Sequence, residues 1–242
     1  MYQEKIVVIL PVLNEEGKIG NTVKKVLGDV PEGVVNTVLV VNDGSTDGTE
    51  KEAEEAGAKV ITHIKNAGVG AAIRTGIKYA QQENYDIVVV MAGDDQDLPS
   101  EMCSVLDPII KNEADFVQGS RRLNELKVVN ISLFRRITTK LFSWIFSVFT
   151  GYPCTDGTNG YRAFTVAFTK EKMMNLDQPW LNKYELEPYL LYHAAQLEQY
   201  RLKEVQVTKV YHEGKSYSKM IPIISWWSIL RPLIFLRFGI KK

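Results

Sequence analysis

Acidic side chains are concentrated in Asp94-Asp95-Gln96-Asp97, which closely follows the apolar run Ile87–Met91. A short run rich in β-branched residues is typical of a strand that is buried on both faces of a parallel sheet. Carboxylates gathered at the end of such a strand repel one another, and a divalent cation, which prefers hard oxygen ligands, would relieve that repulsion. The pattern predicts a metal site, and the alternative is a solvated acidic turn before the helix that starts near Pro99.

The elements that would position these acids alternate along the first half of the chain. The predicted strands are Ile6–Leu10, Thr37–Val41, Val60–Thr62, Ile87–Met91 and Phe116–Gln118. The predicted helices run from near Asn14, an expected N-cap, to about Leu27, and then over Glu50–Ala56, Ala71–Gln82 and Glu101–Lys111. This alternation predicts an α/β fold whose mostly parallel central sheet carries helices on both faces. The polar loops after the strands then meet at one edge, where such sheets bind ligands.

The pattern changes after Arg122. Asn130–Val148 is predicted to form an amphipathic helix that packs on the core or lies among the headgroups of a membrane. A helix over Tyr184–Gln196 and a strand over Leu202–Val210 follow. We expect a catalytic body at residues 1–219 and an apolar, aromatic helical segment at 220–242, which docks on the body or on a membrane interface. The apolar face of the first helix comprises Phe134, Ile137, Leu141, Trp144, Ile145 and Val148, and its polar face comprises Arg136, Thr139, Lys140, Ser143 and Ser147.

Composition argues against several classes of protein. The 242 residues include 29 Lys plus Arg and 29 Asp plus Glu, so no excess of positive charge points to a nucleic-acid partner. Cys103 and Cys154 lie far apart and predict neither a metal site nor a disulfide framework, which suits a reducing compartment. No uncharged apolar stretch approaches the roughly 20 residues of a membrane span. Any contact with a membrane is therefore expected to be peripheral.

Five motifs follow predicted strands in a fixed order. They are Pro11-Val12-Leu13-Asn14-Glu15, Asn42-Asp43-Gly44-Ser45-Thr46-Asp47, Asn66-Ala67-Gly68-Val69-Gly70, Gly119-Ser120-Arg121 and Thr158-Asn159-Gly160-Tyr161-Arg162. With these motifs the chain resembles family-two glycosyltransferases of the GT-A fold, and within them the branch that acts on dolichyl and polyprenyl phosphates. The resemblance spans residues 6–219. It implies a Rossmann-like sheet followed by C-terminal amphipathic or interfacial helices.

The resemblance assigns one set of residues to a nucleotide-sugar donor. Asp94 and Gln96 would bind Mg²⁺ or Mn²⁺, which neutralises the donor's diphosphate. The chain departs from the family's pattern at Ala92 and Asn42, where aspartates are usual, and Asp95 is a candidate to compensate for the first loss. The residues expected to bind the nucleotide sugar are Pro11, Asn14, Glu15, Asp43, Gly68, Asp94, Asp95 and Arg121.

A second set of residues is expected to serve the acceptor. If the acceptor is a lipid monophosphate, it is already an anion, so cations are needed rather than a strong base; guanidinium pairs bidentately with phosphate. Asp94, Arg121, Arg135 and Arg162 are the candidates for catalysis. For each arginine and lysine the alternative is a surface ion pair. The residues expected at the acceptor phosphate are Arg135, Arg136, Arg162, Lys215 and Lys219.

The leading hypothesis is metal-dependent, inverting transfer of a hexose or N-acetylhexosamine from a UDP- or GDP-sugar to dolichyl or polyprenyl phosphate. The enzyme would be peripheral on the cytoplasmic face of a membrane, and its oligomeric state is left open. Transfer to a saccharide hydroxyl is an alternative that needs a carboxylate base. Asp156 or Glu185 would then be that base, although a charge at a helix N-terminus explains Glu185 and Glu187 equally well. The other alternative is a non-catalytic nucleotide-sugar-binding module, which Ala92 and Asn42 would favour.

Overall fold

Seven strands form one central sheet in the computed structural model, which describes residues 2–123, 128–129, 133–210 and 224–241. Their order across the sheet is β3-β2-β1-β4-β7-β5-β8. Only β7 runs antiparallel to its neighbours, β4 and β5. The predicted mostly parallel α/β sheet is thereby confirmed. The seven strands are β1 (Ile6–Val12), β2 (Thr37–Asn42), β3 (Lys59–Thr62), β4 (Ile87–Val90), β5 (Phe116–Ser120), β7 (Arg162–Thr165) and β8 (Leu202–Gln206).

Helices cover both faces of the sheet and create two apolar cores. On one face α3 and α5 to α8 pack on the strands, and on the other α1 and α4 do so. Every residue of β4 is buried, as its continuous apolar run predicts. The helices are α1 (Ile19–Asp29), α2 (Thr49–Glu55), α3 (Val69–Gln82), α4 (Met102–Ile110), α5 (Leu133–Thr150), α6 (Val166–Thr169), α7 (Leu186–Gln196) and α8 (Ile224–Arg237).

Two local predictions were wrong. Asn14 does not cap α1, which begins five residues later at Ile19, because the Asn14 side chain instead accepts a hydrogen bond from the backbone N–H of Thr46. The segment predicted as one strand over Leu202–Val210 splits into β8 and β9 (Lys209–Val210). Between them lies Thr208, whose N–H and hydroxyl both donate to the Glu101 carboxylate. Beyond Thr208, β9 pairs with β6 (Val128–Val129) in a separate two-stranded sheet.

Helix α5 has apolar residues on two sides: Phe142 and Phe146 are buried in the core, and a second set of apolar residues is exposed. We call the exposed apolar residues of this helix the α5 stripe, and each is more than half exposed. The polar residues Thr139 and Ser143 are buried on the opposite side, where Ser143 Oγ accepts the N–H of Gly157. Ser147 Oγ likewise accepts the N–H of Cys154 at 3.0 Å. The α5 stripe consists of Leu133, Ile137, Leu141, Trp144 and Val148.

Helix α8 is docked on the body of the protein. Leu233 is fully buried, and the Arg231 guanidinium pairs with the Glu185 carboxylate, which is itself buried. At the far end of α8 Phe238 is exposed and lies edge-to-face against Phe149 of α5, with 6.4 Å between the ring centroids. None of the helices within the described parts of the chain is long and apolar enough to span a bilayer.

Candidate active site

The loops after β1 and β2 are bonded to each other at the predicted edge of the sheet. The backbone N–H of Asn14 donates to Ser45 Oγ at 2.9 Å, and the N–H of Glu15 donates to Thr49 Oγ1 at 2.8 Å. Pro11, near the end of β1, lies opposite Val41 in the β2 register. Pro11, Asn14 and Glu15 are thus brought to the same edge as the second loop.

Asp43 joins the second loop to the third. Its Oδ1 accepts the N–H of Ala67 at 2.9 Å, and its Oδ2 accepts the N–H of Gly68 at 2.7 Å. His63 Nδ1 lies 2.7 Å from Oδ1, and His63 Nε2 lies 2.9 Å from Thr75 Oγ1. Each carboxylate oxygen has two lone pairs, so Oδ2 retains the capacity to accept a second bond. Asp43 therefore connects the second loop to the third. The sequence alone did not indicate its contact with His63.

Asn42, which stands where the family usually has an aspartate, also has a structural role. It is buried, its Oδ1 accepts the N–H of Ser45 at 3.0 Å, and its Nδ2 lies 3.5 Å from Glu50 Oε2. An aspartate at this position would bring two carboxylates together, whereas an amide presents a donor to Glu50. The amide thus suits the local charge of this loop.

The acidic loop, residues 92–97, contains the two residues predicted to hold a metal. Asp94 Oδ1 accepts the N–H of Gln96 at 3.3 Å. Burial, together with the negative charges of Asp97 and Glu15, raises the pKa of the Asp94 carboxyl, and the Lys209 ammonium opposes that rise. Gln96 is buried, and its Nε2 has no hydrogen-bond partner among the described residues. The crowded Asp94 carboxylate fits a cation-binding position, whereas the unsatisfied Gln96 amide nitrogen is a donor that suits a phosphate oxygen; Gln96 would ligate a metal only through its amide oxygen.

Asp95 and Asp97 differ in position despite their proximity in sequence. Asp95 is tied to α1, where Lys25 Nζ lies 2.7 Å and Asn21 Nδ2 lies 2.6 Å from its carboxylate oxygens. The carboxylate that reaches Ala92 is that of Asp97, whose Oδ2 accepts the Ala92 N–H at 3.0 Å. Asp95, which the sequence suggested as the replacement for the missing acid at position 92, is thus directed to α1 instead.

Arg121 is held by Asp156. Its Nε and Nη2 lie 2.6 Å and 2.8 Å from the two carboxylate oxygens of Asp156, which is fully buried. Although burial alone would raise the pKa of Asp156, pairing with Arg121 lowers it. Nη2 of Arg121 also donates to Thr158 Oγ1. Arg121 therefore makes with the Asp156 carboxylate the bidentate contact that the sequence predicted it to make with a phosphate.

Arg162 is buried within the sheet. Its Nη2 donates to the Asn159 carbonyl at 2.5 Å and lies 3.1 Å from Glu187 Oε1. Burial lowers the pKa of the guanidinium, an effect that Glu187 opposes. Its side chain is only 2% exposed, so the structure gives Arg162 a role in joining β7 to α7. Direct contact of Arg162 with an acceptor phosphate stays a prediction.

The remaining predicted acceptor residues lie near the start of α5 or outside the described residues. Arg135 is partly buried, and Arg136 is exposed beside the α5 stripe. Lys215 and Lys219 lie outside the described residues. Among the residues that the structure describes, no three His, Cys, Asp or Glu side chains come together as a metal cluster.

Residues 7–175 match the family described as Glycosyl transferase family 2. The chain belongs to this family. The predicted GT-A fold is confirmed as well, because a Mycobacterium tuberculosis glucosyl-3-phosphoglycerate synthase, crystallised with Mn²⁺, UDP-glucose and phosphoglyceric acid, superposes with a TM-score of 0.74. That superposition covers 99% of this chain and 82% of the synthase, at 19% sequence identity.

Two curated relatives of this glycosyltransferase align over most of both chains. One is UDP-N-acetylglucosamine–dolichyl-phosphate N-acetylglucosaminyltransferase of Methanococcus voltae, 28% identical over 99% of this chain and 98% of the relative. The other is undecaprenyl-phosphate mannosyltransferase of Micrococcus luteus, 30% identical over 86% of this chain and 85% of the relative. An uncharacterized protein, MJ1222 of Methanocaldococcus jannaschii, is 32% identical and covers 96% of this chain and 92% of the relative.

Proposed function

We propose that this glycosyltransferase moves a hexose or N-acetylhexosamine from a UDP- or GDP-sugar to dolichyl or polyprenyl phosphate, with inversion at the anomeric carbon. The names of the two aligned transferases support an acceptor of this kind. The observation that carries the proposal is the α5 stripe, a row of exposed apolar residues on a helix whose other side is buried. An enzyme whose acceptor is dissolved in a bilayer needs such a surface.

The donor would bind across the edge formed by the first three loops and the acidic loop. Asp94 and Gln96 would hold Mg²⁺ or Mn²⁺, and the Mn²⁺ in the crystallised synthase supports a divalent ion. The ion would stabilise negative charge on the diphosphate as it leaves the sugar. Asp43, through the remaining acceptor capacity of Oδ2, and Glu15 would bind the nucleoside. Asp95, which is tied to α1, would support the loop from behind.

The contacts of two buried carboxylates favour a phosphate acceptor over a saccharide hydroxyl. Asp156 is paired with Arg121, and Glu185 is paired with Arg231, so each candidate base is held by a guanidinium. A base must reach the proton that it removes, and carboxylates fixed in this way are poorly placed to do so. A lipid monophosphate needs no such base. Arg135 and Arg136, with Lys215 and Lys219, would attract it.

The α5 stripe and the end of α8 would form the membrane-facing surface. Trp144 and Trp227 are both more than half exposed, and the Phe149–Phe238 contact joins the two helices. Exposed Arg136 and Lys140 flank the stripe, which suits anionic headgroups. The protein would be peripheral, on the cytoplasmic face of a membrane.

A comparison of three acceptors tests the proposal. The full chain is incubated with radiolabelled UDP- and GDP-sugars, Mn²⁺ and one of three acceptors: polyprenyl phosphate, an oligosaccharide, or a water-soluble phosphate monoester. We expect label to enter the organic phase with polyprenyl phosphate and to be lost when the metal is chelated. Label in the oligosaccharide or in the soluble phosphate ester instead would reject the lipid acceptor. Nucleotide binding without transfer to any of the three would favour a non-catalytic binding module.

A further inference from the structure

Strand β9 holds the acidic loop from the far end of the chain. The N–H of Val210 donates to the Gln96 carbonyl at 2.9 Å, and Lys209 pairs with Asp97 as an antiparallel bridge. Lys209 Nζ lies 2.9 Å from Asp97 Oδ1. Backbone and side chain therefore fasten Gln96 and Asp97 to a strand more than a hundred residues later.

The Lys209–Asp97 pair is almost removed from solvent. The Asp97 side chain is 0% exposed and the Lys209 side chain is 12% exposed. The other Asp97 oxygen accepts the N–H of Ala92, so the carboxylate charge lies at the turn of the acidic loop. A buried carboxylate without a cation is strongly disfavoured. Asp97 therefore needs the charged Lys209 side chain to stay beside it.

The same ammonium acts on Asp94. Asp97 and Glu15 crowd Asp94 with negative charge, and Lys209 is the cation whose charge offsets theirs. Next to Asp94 is the buried Gln96 amide nitrogen, which has no partner among the described residues. The loop thus presents the Asp94 carboxylate and the Gln96 amide at the candidate metal position, while the charge of Asp97 is neutralised by Lys209.

We infer that Lys209 is a positioning residue that sets the charge of the donor-diphosphate site by neutralising Asp97. This inference deepens the proposed function and rests on it. A metal ion is attracted by negative charge, whereas a diphosphate is repelled by it. Because the charges of Lys209 and Asp97 cancel, the site can bind both the metal ion and the diphosphate. Removing either charge would favour one of these ligands and disfavour the other.

Two single variants test the inference because they change the charge in opposite directions. Lys209→Met leaves Asp97 uncompensated; we expect Mn²⁺ alone to bind roughly tenfold more tightly and UDP or GDP in EDTA roughly tenfold more weakly. Asp97→Asn removes the negative charge of Asp97 and keeps the ammonium; we expect both changes to reverse, with Mn²⁺ weaker and the metal-free nucleotide tighter. The double variant restores charge balance and should return both affinities towards the parent values.

The measurements are titration of Mn²⁺ alone, followed by electron paramagnetic resonance, and calorimetry of UDP and of GDP in EDTA. Lys203→Met is the matched control, because Lys203 pairs with Glu113 at 2.8 Å on β8 but both side chains are nearly half exposed. It should change neither affinity. A parallel loss of both affinities in the two single variants would mean a purely structural role and would overturn the inference. A parent chain that binds neither Mn²⁺ nor nucleotide would overturn the proposed function and the inference with it.

Discussion

The sheet-edge loops and helix α5 satisfy opposite rules of burial. At the edge, polar side chains turn inward and bond one another, as Asp43 does with the backbone of Ala67 and Gly68. On α5, apolar side chains such as Trp144 turn outward, with 64% of the residue exposed. Hydropathy alone therefore does not determine which side of an element faces the body.

Backbone hydrogen bonding explains the difference. The loop at residues 154–157 packs beneath α5 and presents N–H groups that need acceptors. Ser147 and Ser143 supply them, accepting from Cys154 and Gly157. A buried N–H without a partner costs more than an exposed apolar side chain, so the two serines face the body, alongside the buried Phe142 and Phe146. The stripe is left outside as a consequence, and it is then available for a membrane.

The largest effect is expected where an inward polar contact is broken. Arg121→Met should lower the free energy of unfolding by about 3–5 kcal/mol, because the Asp156 carboxylate would remain buried without its cation. In the parent, the lowered pKa of Asp156 stabilises the fold above the ordinary carboxyl pKa, and that stability is lost as the pH falls through the lowered value. Urea denaturation at pH 7 measures the first effect, and a series from pH 5 downward through the lowered pKa measures the second.

The variant should show the opposite response to pH. An unpaired buried carboxyl takes up a proton more readily in the folded state, so the deficit of Arg121→Met should shrink as the pH falls from 7 to 5. Arg201→Met is the control, since Arg201 pairs with Asp115 at 3.1 Å while its side chain is 47% exposed. A deficit no larger than that of the control would mean that the Arg121–Asp156 pair does not stabilise the fold.

The sequence predicted the order of the edge loops better than the contacts within them. Strand ends and turn residues place Asp43 and Asp94 correctly because the carboxyl ends of parallel strands share an edge. Arg121 and Arg162 were predicted for phosphates, yet the carboxylates with which they pair, Asp156 and Glu187, lie 35 and 25 residues away in the chain. No local pattern identifies such partners. Lys209 was missed for the same reason, since Asp97, its partner, lies 112 residues away in the chain.

A second prediction separates two adjacent acids of the acidic loop. Asp94→Asn should reduce kcat/KM by about 10²–10³-fold, the scale observed when one preorganised electrostatic contact is removed from a reacting centre. Asp95→Asn should cost far less, because Asp95 is bonded to Lys25 and Asn21 rather than turned to the donor site. Steady-state kinetics with polyprenyl phosphate, with unfolding free energies as the check on folding, measure the contrast. Equal losses of kcat/KM in the two variants would contradict the assignment of Asp94 to the donor site and of Asp95 to the contact with α1.

The smallest effect concerns the outward stripe. Ile137→Ser combined with Trp144→Ser should weaken binding to vesicles of phosphatidylglycerol by roughly tenfold or more, since apolar area buried at an interface contributes about 25 cal/mol per Å². Stability should change little, because both residues are more than half exposed. Co-sedimentation with the vesicles measures the binding.

The control for the stripe comes from apolar residues that are exposed elsewhere. Leu27 on α1 and Met173 are 53% and 64% exposed, and the double variant Leu27→Ser with Met173→Ser removes a comparable kind of surface. If exposure alone drove adsorption, this variant would lose vesicle binding as the stripe variant does. If the alignment of the stripe on one helix beside Arg136 is what matters, only the stripe variant should detach. That second result would show that the α5 stripe, rather than apolar exposure in general, supplies the contact with the bilayer.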